Sequence, residues 1–89
     1  MSEHALTWAM RQEVRGRIAT DVLLTLASIH EEGGFCLETR ELARRAGFDM
    51  LATAASLWEL RNAGVIRCAG IGGTLSVELG CDYAQEAAE

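Results

Sequence analysis

The sequence predicts a small α+β domain, mainly α-helical with a β-hairpin wing, in the arrangement of a winged helix-turn-helix. Three observations carry this. Two helical patterns flank a turn at Gly47-Phe48-Asp49. The apolar period changes from helical to alternating after Gly64. Two alternating segments then flank the glycine-rich stretch Gly70-Ile71-Gly72-Gly73. Two helices joined by a short turn containing glycine make a helix-turn-helix, and a following hairpin supplies the wing.

The elements follow in chain order. Ala5 to Glu13 can form a short helix through Leu6, Ala9 and Met10. Arg17 to Glu32 reads as the first core helix. Ile18, Val22, Leu26 and Ile29 recur at helical spacing, and Ala19, Leu23 and Ala27 widen the stripe. Glu31-Glu32-Gly33-Gly34 ends it, with glycine available for a left-handed cap. Phe35-Cys36-Leu37 is a short strand or an extended link. Thr39 is the N-cap candidate for a helix over Arg40 to Ala46, whose apolar side is Leu42, Ala43 and Ala46. Gly47 permits a tight turn, and Phe48 can plug the core beneath it. Asp49 is the next N-cap candidate, opening a helix from Met50 to Ala63 that stops at Gly64. Val65 to Ala69 is strand-like. Thr74-Leu75-Ser76-Val77-Glu78-Leu79 alternates polar and apolar, as a half-buried strand does. The expected organisation is a lead-in over residues 1–16, the winged helix-turn-helix over 17–80, and an acidic tail over 81–89 that is frayed or weakly helical.

Composition narrows the classes. A chain of 89 residues is one domain in size. Hydrophobic residues at 49% against 24% charged argue for a folded globule rather than disorder. Proline is absent, so no proline-rich linker divides the chain. No apolar run approaches the ~20 residues of a membrane span. The first residues are interrupted by charges and lack a signal-peptide core. The expectation is a cytoplasmic protein that does not contact membrane.

The three cysteines, Cys36, Cys68 and Cys81, show no ligand-pair spacing and read as small hydrophobes in a reducing compartment. His4 and His30 lie far apart, with no cysteine or carboxylate at metal-ligand spacing, and read as surface residues. No nucleophile–base pair and no carboxylate pair in a recognisable setting is visible. The reading is therefore a non-enzyme, with no catalytic residue, cofactor, metal or small-molecule substrate expected. Gly70-Ile71-Gly72-Gly73 lacks the strand-to-helix context of a phosphate-binding loop and reads as a hairpin turn.

The net charge is −5, and all eight basic residues are arginine. A free-standing duplex-DNA binder is usually basic, because phosphate neutralisation supplies much of its affinity. The arginines cluster twice, at Arg11, Arg15 and Arg17, and at Arg40, Arg44 and Arg45. One reading is a solvated face paired with Glu13, Glu38 and Glu41. The other is contact with phosphates.

The stretch from Gly16 to Arg67 resembles the amino-terminal winged-helix domain of phage replication initiator proteins, and is similar to related helix-turn-helix modules of phage and plasmid regulators. Ala5-Leu6-Thr7-Trp8-Ala9-Met10-Arg11-Gln12 looks like the lead-in of those domains. Leu42-Ala43-Arg44-Arg45-Ala46-Gly47 looks like their second helix and turn. Leu57, Leu60, Ala63, Gly64, Val65 and Ile66 fit their closing pattern. The resemblance implies a winged helix and, for the family, DNA binding. The recognition helix departs from that pattern. Asp49 to Glu59 carries no basic residue, and Arg61 is the first. Base-edge readout by bidentate Arg, Lys, Asn or Gln has no donor there.

At ~100° per residue, Thr53, Leu57 and Leu60 share one face of this helix, and Leu51, Ala55 and Trp58 fall roughly opposite, with Met50 and Ala54 at the borders. A helix apolar nearly all round is buried on both sides. In so small a domain the second side must meet a partner, a second copy, or a folded-back terminal segment. Trp58 is thus either core or an exposed anchor of a protein interface. Two functions remain. The first is a binding protein of mobile-element type that occludes a host protein or nucleoprotein complex through Met50, Leu51, Ala54, Ala55 and Trp58. Small acidic phage proteins that block host defence, some anti-CRISPR proteins among them, are similar in size and charge. The alternative is a DNA-binding regulator or replication module, possible as a homodimer, using Arg11, Arg15, Arg17, Arg40, Arg44, Arg45 and Arg61.

Overall fold

Residues 3–31, 33–71 and 73–82 are described by a computed structural model. The elements are α1 (Glu3–Met10), α2 (Arg17–Ser28), β1 (Phe35–Glu38), α3 (Thr39–Ala46), α4 (Met50–Asn62), β2 (Ile66–Ile71) and β3 (Thr74–Leu79). The domain is α+β and mainly helical, with one antiparallel three-stranded sheet in the order β1-β3-β2. This order of elements is compatible with a winged helix.

The core forms where the helices meet the sheet. Val22, Leu23 and Leu26 of α2, Leu42 of α3, Leu57 and Leu60 of α4, and Ile66, Leu75, Val77 and Leu79 of the sheet are buried together. The α2 stripe is rotated relative to its sequence reading: Ile18 is exposed, and Ala19 to Ala27 carry the buried face. The helix also ends at Ser28 rather than Glu32. Past that point the chain turns to bury His30, whose ring meets Phe35 edge-on at 6.1 Å.

The turn between α3 and α4 follows the local chemistry. Gly47 takes the left-handed conformation at φ 84° and closes α3 through its N–H to the Ala43 carbonyl at 2.9 Å. Asp49 caps α4, its Oδ1 accepting the Ala52 N–H at 2.7 Å. Thr39 does not cap α3. Glu38 holds the cap position, without a side-chain bond. Thr39 instead ties the start of α3 to the hairpin turn, its backbone N–H donating to the Gly73 carbonyl at 3.0 Å.

Two segments outside the expected central unit are built into it. Helix α1 packs Ala5 and Ala9 into the core, small residues that let it approach α2 closely, whereas Met10 is exposed. Trp8 lies against Gly80. Of the acidic tail, Cys81 is buried and Asp82 half-buried. The expected fraying concerns residues 83–89, which lie outside the described residues.

Strand β3 alternates as its sequence indicates, with Leu75, Val77 and Leu79 inward. It pairs with β2 through Ile66↔Leu79 to Ile71↔Thr74, so the two strands form a tight hairpin. Its other edge takes β1, through Phe35↔Val77 to Glu38↔Thr74. The Phe35 segment is therefore a strand and not a link.

Candidate macromolecule-binding surface

Helix α4 has two faces. Thr53, Ser56, Leu57 and Leu60 are buried. Thr53 lies on the core side because its hydroxyl donates to the Asp49 carbonyl at 2.8 Å, which removes the penalty for burying it. Met50, Leu51, Ala54, Ala55 and Trp58 are all exposed. Leu51 is 84% exposed, Trp58 60% and Met50 51%. Positions 51, 55 and 58 repeat at helical spacing, so these side chains form one continuous apolar strip. Leu51 and Trp58 are thus not core, and no described segment of the chain covers them.

Arg61 extends the strip at the C-terminal end of α4. Its guanidinium carbon stands 5.7 Å from the Trp58 ring centroid, within cation–π range. Between α4 and β2 a shallow groove of about 210 Å³ is lined by Ala54, Leu57, Trp58, Arg61, Cys68 and Ala69. Partial burial raises the Cys68 thiol pKa, with Arg61 opposing the shift. The strip and groove together offer an aromatic anchor, aliphatic contacts and one cation.

The arginines take other positions. Arg44 and Arg45 both converge on Glu41. Arg44 donates from Nε to Glu41 Oε2 at 3.0 Å, and Arg45 from Nε to Oε1 at 2.8 Å. The two guanidinium groups hold the Glu41 carboxyl down at about 2. On α3, Arg44 and Arg45 thus share one carboxylate on the solvent side. Arg67 pairs across the hairpin with Glu78 at 3.2 Å. Arg11, Arg15, Arg17 and Arg40 are exposed. Arg15 and Glu13 border a wider open cavity of about 670 Å³ against Glu59, Asn62 and Ala63 at the end of α4.

A second polar cluster escaped the reading of the sequence. His30 is buried, not on the surface, with its Nε2 2.8 Å from Asp82 Oδ2. The Gly33 N–H donates to the same oxygen at 3.3 Å. Cys81 Sγ stands 3.9 Å from Asp82 Oδ1. Burial, reinforced by the neighbouring Asp82 charge, pushes the Cys81 thiol up to about 11. The three residues were separated by chain distance and by the assumption that the tail lies outside the fold. One signal was present: in a helix over Arg17 to Glu32, as the sequence suggests, His30 follows Leu26 by four positions on the core stripe. Cys36, read from the sequence as a small hydrophobe, is exposed on the solvent face of β1.

No protein-family model, curated protein or solved structure matches the chain at a significant level.

Proposed function

We propose that this chain is a winged helix that binds a protein partner through the outer face of α4. The observation that carries this is the exposure of Leu51, Trp58 and Met50 along one strip of the helix that would enter the DNA groove in a DNA-binding relative. Monomeric domains rarely leave a large contiguous apolar patch open without a use for it. Trp and Met are also favoured at protein interfaces. The net charge of −5 favours a partner whose docking surface is apolar at its centre and basic around it. A basic, nucleic-acid-handling complex has that chemistry, and occupying it would block its own ligand. The resemblance to phage replication modules supports a mobile-element setting, in which such a complex would belong to the host.

Duplex DNA as ligand is the second reading. The exposure of Arg11, Arg15, Arg17 and Arg40 favours it. Against it stand the apolar strip where base-reading donors belong, and the pairing of Arg44 and Arg45 with Glu41, whose carboxylate offsets one of their two charges.

The test is photo-crosslinking from position 55 in host extract, followed by titration of the recovered protein in purified form. We expect 1:1 binding, weakened at least ~30-fold by Trp58→Glu, as for loss of an aromatic hot spot. Binding unchanged in Trp58→Glu would overturn the proposal. So would a duplex-DNA complex with a steep salt dependence that is lost in the Arg44→Ala/Arg45→Ala double variant. Sedimentation that shows a dimer dissolved by Trp58→Glu would instead make a second copy the occupant of the strip.

A further inference from the structure

We propose that His30, Cys81 and Asp82 form a binding site for a divalent transition-metal ion, with Zn(II) the chemically favoured occupant. One ring nitrogen of His30, Cys81 Sγ and one Asp82 carboxylate oxygen lie within 4.8 Å of one another. Zinc bonds of ~2.0–2.3 Å in tetrahedral geometry place ligand atoms roughly 3.3–3.8 Å apart. Asp82 already reaches both partners, through Oδ2 at 2.8 Å from His30 Nε2 and through Oδ1 at 3.9 Å from Cys81 Sγ. Small side-chain rotations would close the set. Imidazole, thiolate and carboxylate together suit a borderline ion such as Zn(II), and disfavour Mg(II) and Ca(II), which take oxygen donors.

The burial is the second argument. The His30 side chain is only 4% exposed. Its Nδ1 has no hydrogen-bond partner among the described residues. Buried polar atoms are nearly always satisfied, and an orphan points to a water or an ion that completes the network. The Nε2 contact with Asp82 explains one nitrogen. It leaves Nδ1 without a partner, whereas the Cys81 thiol lies against Asp82 Oδ1. The three donors also arrive from two distant parts of the chain, one following α2 and two following β3. A metal there would clip together points 52 residues apart, where loop closure makes such a clip most stabilising.

On binding, the Cys81 S–H bond breaks, the sulfur bonds to the metal, and the proton passes to solvent. The Asp82 side chain keeps 10% of its surface exposed and the His30 side chain 4%, so the fourth position would be taken by water inside a nearly closed site. The site is independent of the α4 strip and stands or falls without it.

The experiment titrates the full chain, stripped with chelator, with Co(II) and then Zn(II). We expect one equivalent of Co(II) to give tetrahedral d–d absorption and a thiolate-to-cobalt charge-transfer band. Zn(II) should displace it, and saturating Zn(II) should raise the melting temperature by several degrees. Cys81→Ser should lose the charge-transfer band, while Cys36→Ser and Cys68→Ser should keep it. Should Cys81→Ser fail to fold, Asp82→Asn tests the same point through a tenfold or greater loss of affinity. The proposal is overturned if no saturable band forms, if the band survives Cys81→Ser, or if Zn(II) leaves the melting temperature unchanged. In those cases the cluster is a hydrogen-bonded clamp completed by water.

Discussion

At Gly80 an added methyl group would meet Trp8 Cζ2 at 2.7 Å and the Val65 carbonyl oxygen at 2.8 Å. A shift of α1 would move the ring aside, but the carbonyl belongs to a backbone that accepts the Gly80 N–H at 2.8 Å. Gly80→Ala should therefore destabilise the domain by ~1–3 kcal/mol, as overpacking does, in urea or thermal unfolding. The effect should persist in a Trp8→Ala background, because the carbonyl contact remains. Cys81, next in the chain, sets a different expectation. Its thiol is held at about 11 against an ordinary 9.0, chiefly by burial. The folded state thus holds the thiol proton more tightly than the unfolded one. That contribution is complete below pH 9 and fades as pH rises from 9 towards 11. In chelator at neutral pH, alkylation should reach exposed Cys36 first and Cys81 last, read by mass spectrometry of timed samples.

Helix α4 is the element in which stability and binding separate. Leu57 and Leu60 are buried, whereas Leu51 and Trp58 are exposed on the same thirteen-residue helix. Leu60→Ala should cost ~2–5 kcal/mol, by transfer and cavity formation. Leu51→Glu should change stability by no more than ~0.5 kcal/mol, as surface substitutions do, while weakening the partner complex. Equal destabilisation by the two would contradict the two-faced description. Asp49→Ala should lose ~1 kcal/mol through the cap on the Ala52 N–H. On α3, Glu41 is held at about 2 by Arg44 and Arg45. Its folded pKa is depressed, so the pairing is present above pH 4.5 and lost as pH falls through about 2. A carboxyl titration followed by NMR should show it as the last carboxylate on this face to protonate.

Over the whole molecule, β3 is the integrating element. It is the central strand, pairs with β1 and β2, and buries Leu75, Val77 and Leu79 against the helices. A chain ended after Gly73 would keep every helix from α1 to α4 but lose that surface and the strand with which β1 pairs. It should show no cooperative unfolding transition by circular dichroism. The same late segment carries Gly80, Cys81 and Asp82. The last described turn thus locks both ends of the domain: Trp8 of α1 on one side and His30 after α2 on the other.

The sequence by itself determined the element types and most of their order. The period change after Gly64, the Gly47 turn and the Asp49 cap are local signals, written within a few residues of the structure they direct. It also determined that α4 is apolar on two sides, because helical spacing alone places Thr53, Leu57 and Leu60 opposite Leu51, Ala55 and Trp58. What only the tertiary structure decided is which of those sides is covered, since the choice depends on where α2 and the sheet lie. Met10 and Ile18 went outward and His30 inward for the same reason. Pairing of Phe35 with Val77, and of His30 with Asp82, joins residues distant in the chain, and no local pattern encodes such a meeting. The two candidate sites follow this division. The α4 strip was legible as a periodic pattern, and the His30-Cys81-Asp82 cluster exists only once the fold closes.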